Sequence, residues 1–93
     1  MISRKQREEI TNLMVDAIQK DVLNFDKLNR SKRREFYKEI VKKYGRGKQI
    51  LIEFLKSMRK SEHLSWIGSR RSLSELEEVK NEMTSDIEFI KSL

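Results

Sequence analysis

Cysteine and proline are absent from this chain, glycine occurs three times, histidine and tryptophan once each, and the longest aliphatic run is Ile50-Leu51-Ile52. Without cysteine there are neither disulfides nor thiolate metal sites, so nothing marks a secreted scaffold. His63 is the lone histidine, which leaves no Cys-His pair and no multi-histidine metal centre within one chain. The short apolar runs exclude a membrane-spanning helix. Met1-Ile2-Ser3-Arg4-Lys5-Gln6 leads into charge rather than the apolar stretch of a leader, so a soluble cytoplasmic protein without a membrane partner is expected. With no proline and little glycine, helices have few interruptions.

What is present is charge, at 39% of the 93 residues, against roughly 25% in ordinary globular domains. That excess favours an open helical bundle or an oligomer. Leu, Ile, Val and Phe still supply 26 residues, above the roughly 20% level at which disorder becomes the default, so the chain should fold as one domain. The charge is also sorted. Lys27 to Lys48 holds ten Lys/Arg against two carboxylates, whereas Ser72 to Leu93 holds six carboxylates against two lysines. Two opposite electrostatic faces follow, unless folding brings them together.

The apolar spacing is helical throughout. Ser3 and Gln6 read as a capping box, and Ile10, Leu13, Met14, Ala17 and Ile18 trace one stripe, which predicts a helix over 4–24. A second helix, 31–44, sets Phe36, Ile40 and Tyr44 on its core face, with Tyr37 and Val41 at the edge and Gly45 as the stop. Helix 48–60 carries Ile50, Leu51, Ile52, Phe54, Leu55 and Met58, an apolar arc broad enough for the central helix. Residues 62–67 read as a short turn docked on the core. Ser72 with Glu75, and Ser74 with Glu77, cap a last helix over 72–92, whose seam is Leu76, Val79, Met83, Ile87 and Ile90. The expectation is an all-α, small four-helix bundle over 1–93, with an internal boundary, if any, at 61–72 before the acidic last helix. That last seam either completes the monomer or pairs with a second copy as a homodimer.

Catalysis is not expected, nor a cofactor or metal. The carboxylates at Glu8-Glu9 and Glu75 to Glu82 match no acid/base or ligand spacing and read as solvated faces. Gly45-Arg46-Gly47-Lys48 lacks the spacing and hydroxyl residue of a nucleotide-phosphate loop, though glycine N–H groups beside Arg46 and Lys48 would suit one phosphodiester. On the second helix Arg34, Lys38 and Lys42 align opposite the apolar face, flanked by Lys32, Arg33 and Lys43. They repeat every four residues, about 6 Å, which is close to the phosphate spacing of one nucleic-acid strand. A helix-turn-helix frame over 37–56 fits in outline, but its second helix is too aliphatic to read base edges.

The leading expectation is a small basic regulatory protein that contacts DNA or RNA phosphates through Lys32, Arg33, Arg34, Lys38, Lys42, Lys43, Arg46 and Lys48. The alternative is an inhibitor or adaptor that occupies a host protein, such as a nucleic-acid enzyme, through Trp66, Arg70 and Arg71. In size, Lys/Ile/Glu-rich composition and lack of cysteine the chain resembles the small accessory proteins of bacteriophages and other mobile elements. That resemblance implies the host cytoplasm as its setting and assigns no residue a role.

Overall fold

A computed structural model describes residues 3–45, 47–60 and 73–93, with side chains of the last segment from Leu76 onward. Among the described residues four helices, α1 (Arg4–Gln19), α2 (Arg30–Lys43), α3 (Gly47–Lys60) and α4 (Leu73–Ser92), run in chain order, and one 3-10 turn, Lys27–Asn29, leads directly into α2. No described residue lies in a strand, and no helix among the described residues is long and apolar enough to cross a membrane. The turn expected at 62–67, the boundary at 61–72 and the capping contacts proposed for α4 fall outside the described residues.

α1 starts as the sequence predicts. Ser3 Oγ accepts the N–H of Gln6 at 3.1 Å, and Gln6 Oε1 accepts the N–H of Ser3 at 3.3 Å. It ends five residues before the predicted Asn24, at Gln19. Asp21 there adopts φ 62°, while Val22 N–H donates to Ala17 O and Asp21 N–H to Ile18 O. That pair of bonds is a Schellman closure. Its left-handed position is usually glycine, and aspartate is among the few other residues that visit it, so the stop carries no glycine signal.

Gly45 has open space around it. Gly47 does not: a Cβ there would lie 3.2 Å from Ile10 Cδ1 and from Tyr44 Cβ, and 3.3 Å from Ile40 Cγ2. The corner between α2 and α3 therefore closes against α1 because position 47 has no side chain. α3 is the central helix, burying Ile50, Leu51, Ile52, Leu55 and Met58 and packing on α1, α2 and α4. The seam of α4 fills the same core: Val79, Met83, Ile87 and Ile90 are all buried within the one chain, which leaves them unavailable to a second copy. The radius of gyration, 12.8 Å, is close to the roughly 12 Å of a fully compact chain of this length, so the open bundle suggested by the high charge is not what forms.

α2 is rotated from its predicted orientation. Arg33, Tyr37 and Ile40 are the buried residues, and Phe36 is only half-buried. An arginine occupies a core position because α4 brings carboxylates to meet it.

Candidate functional site

Two cationic sites arise from the same basic run, one inside the molecule and one outside. The inner site joins α2, α4 and the α1–α2 connection. Arg33 is fully buried, and all five of its N–H donors are used. Nε donates to Asp86 Oδ2 at 2.7 Å, and Nη2 donates to Asp86 Oδ1 at 3.2 Å and Glu82 Oε1 at 2.7 Å. Nη1 donates to the carbonyls of Asn24 and Asp26, each at 2.7 Å. Arg30 takes Glu82 in a second two-pronged pair, at 3.1 and 2.6 Å. Tyr37 Oη donates to Asp86 Oδ2 at 2.5 Å, and the Phe25 ring lies 5.3 Å from the Arg33 guanidinium carbon. Charges within this cluster sum to zero.

The electrostatics follow from that geometry. The hydrogen bond and charge of Arg30, with those of Arg33, hold the Glu82 carboxyl below its ordinary range despite partial desolvation. Burial works against the Arg33 charge, yet its bonds to Asp86 and Glu82 outweigh that and raise its pKa. Burial, then the neighbouring Asp86 charge, pushes the Tyr37 hydroxyl well above its usual value. These shifts hold the Glu82 carboxylate, the Arg33 guanidinium and the Tyr37 hydroxyl each in one protonation state near neutral pH. A paired interior of this kind suits holding α4 in register.

The outer site is what remains of the predicted phosphate row. Lys32, Lys38, Lys42 and Lys43 are exposed, and Lys48 is half-buried. Glu35 and Glu39 are exposed on the same helix, with Lys38 Nζ 3.5 Å from Glu35 Oε1. Lys43 Nζ lies 5.5 Å from the centre of the Tyr44 ring. Two assignments change. Arg33 cannot reach a phosphate, because it is enclosed and saturated by Glu82, Asp86 and two carbonyls. Arg34 lies against α4, its guanidinium carbon 4.7 Å from the Phe89 ring centre and its Nε enclosed without a hydrogen-bond partner among the described residues. The loop cradle also weakens: Gly47 is buried, and its N–H donates to Tyr44 O at 2.8 Å rather than facing outward. Arg46, Trp66, Arg70 and Arg71 lie outside the described residues. As for the helix-turn-helix frame, α3 shows solvent only a narrow strip that includes Gln49, Glu53, Lys56 and Lys60.

The acidic last helix therefore masks part of the basic run and leaves part open. Glu82, read from sequence as solvated, and Asp86 are the masking groups, and Arg30 and Tyr37 complete the cluster. One signal pointed to it. At about 100° per residue, Asp86 falls about 20° beyond Val79, so a carboxylate borders the apolar seam of α4 at its edge. No family model, no curated protein and no solved structure matches the chain.

Proposed function

We propose that the chain is a small helical regulatory protein of phage or mobile-element type that binds nucleic acid through its phosphate backbone without reading bases. Lys38 and Lys42, one helical turn apart and exposed, form the centre of the contact, with Lys48 at the start of α3 extending it. One observation carries the reading: the internal ion cluster is neutral, so the formal charge of +6 is borne entirely by groups outside it. A surface with that excess attracts polyanions over a Debye length and gains from counterion release on contact.

The test is binding to duplex DNA, single-stranded DNA and RNA between about 50 and about 200 mM salt, where three to four phosphate contacts give a log–log slope of about −3. Reversing charge in the Lys38→Glu/Lys42→Glu variant abolishes binding on this reading. No binding at the low-salt end, or full binding by the variant, overturns it.

A further inference from the structure

Leu28 is 95% exposed, at the tip of the 3-10 turn before α2. A lone exposed leucine is ordinary. This one stands on a fixed base. Asp26 Oδ1 accepts its N–H at 2.8 Å, and Asn29 Nδ2 donates to the carbonyls of Val22 and Asn24, each at 3.0 Å. The buried Arg33 holds the carbonyls of Asn24 and Asp26 from beneath. The cost of ordering the turn is thus met within the monomer, the condition under which a small apolar contact adds most to binding.

Leu28, Lys32, Glu35, Glu39 and Lys43 are all exposed, and their spacings of four, three, four and four residues set them on one stripe of the turn and α2. At the far end of that stripe a shallow cavity of about 370 Å³ opens between α1 and α2, lined by Glu9, Asn12, Leu13, Asp16, Lys43 and Tyr44. Its lining includes the apolar Leu13, itself 37% exposed. Glu9 and Asp16 give it two carboxylates, and Lys27 is the residue beside Leu28.

We infer that the occupant of this cavity is Leu28 of a second copy, in a two-fold dimer whose α2 helices run antiparallel. A register that sets Leu28 opposite Lys43, at the cavity mouth, also sets Lys32 opposite Glu39, because both pairs are centred on the Glu35–Phe36 peptide. Each copy then contributes a leucine anchor and two Lys32–Glu39 ion pairs form across the axis. Lys27 enters beside the carboxylates of Glu9 and Asp16. Neither Lys32 nor Glu39 has an ion-pair partner among the described residues of its own chain. Glu35, nearest the axis, is already partnered by Lys38, which moderates repulsion between the two copies. The interface is distinct from the α4 seam, which the monomer uses internally, and it leaves Lys38 and Lys42 to one side.

The patch is one short helix and a turn, so association belongs to the weak class and needs concentration to be seen. Sedimentation equilibrium of the full chain, without nucleic acid, from about 10 µM to about 1 mM reads it independently of the binding function. The wild-type mass rises toward the dimer. Leu28→Asp, at a position with no packing to lose, keeps the thermal midpoint and weakens dimerisation by about tenfold or more. Lys32→Glu and Glu39→Lys each self-associate poorly, because like charges then meet across the axis. Mixing the two variants restores dimers, since both pairs become opposite in sign again. A wild-type chain that stays monomeric throughout, a dimer indifferent to Leu28→Asp, or a mixture no better than its components each overturns the inference.

Discussion

Arg33 and Lys38 lie little more than one turn apart on α2, and their environments are opposite. The arginine is sealed off from water with each N–H donor matched to an acceptor, while the lysine is exposed on its outer face, with Glu35 3.5 Å away. The contrast separates the number of cations in a segment from the cations a partner can reach. Of the basic run, Arg30 and Arg33 hold α4 against α2, Arg34 packs on Phe89, and the lysines of α2 keep the solvent face. Guanidinium suits the inner role because its five donors form a rigid planar fork, and ammonium, strongly hydrated and flexible, suits the outer one.

The strongest way to break this contrast is Arg33→Ala. It leaves the buried Asp86 with no cation, takes one of the two arginines from Glu82 and frees the Asn24 and Asp26 carbonyls, so a loss of about 3–5 kcal/mol is expected. That is a large share of the roughly 5–15 kcal/mol available to a domain, and urea unfolding measures it. Arg33→Lys restores the charge but not the fork, and should recover only part of the loss. A change below about 1 kcal/mol for Arg33→Ala would mean that the inner cluster contributes no more than a surface pair.

Acid sharpens the same contrast at one carboxylate. The folded-state pKa of Glu82 lies below its ordinary value of 4.5, so the stability it confers is complete above that pH and is lost as pH falls through the lower, folded value. Glu53 is also held low, by its bonds to Arg7 and Gln49, but it and Arg7 are solvent-exposed and screened. Glu82→Gln should therefore flatten the fall in thermal midpoint below about pH 4.5, while Glu53→Gln leaves the profile close to wild type. Equal effects at the two positions would remove the distinction between inside and outside.

How far this arrangement could be read in advance depended on the level of structure. Local pattern was enough for the four helices, the Ser3 cap, the central place of α3 and the apolar seam of α4, because period and capping chemistry act within a few residues. α1 stops short of the length its apolar stripe predicts because Asp21, not glycine, takes the left-handed turn. The buried face of α2 differs from the one its apolar spacing predicts because it includes an arginine. Whether it is buried depends on Asp86, 53 positions away, whose approach is set by the packing of α4 on α3 and α2. Asp86 at the edge of the apolar seam of its helix is the local sign that a cation meets it there, and sequence spacing does not say which of the ten nearby does so.

The smallest effect is expected on the outer face, and it bounds the comparison from below. Lys38→Ala removes a pair whose partners are both more than half exposed, at 53% and 70%, and separated by 3.5 Å. Such pairs contribute on the order of 0.5 kcal/mol, and alanine regains a few tenths through its higher helix propensity. The net change in unfolding free energy should stay within about 0.5 kcal/mol, while the charge it removes lowers nucleic-acid affinity at low salt. A loss of more than about 1 kcal/mol would show that Lys38 is bound up in folding as Arg33 is. The outer row would then offer no set of cations released from structural duty, and an electrostatic partner would have to be sought on another face.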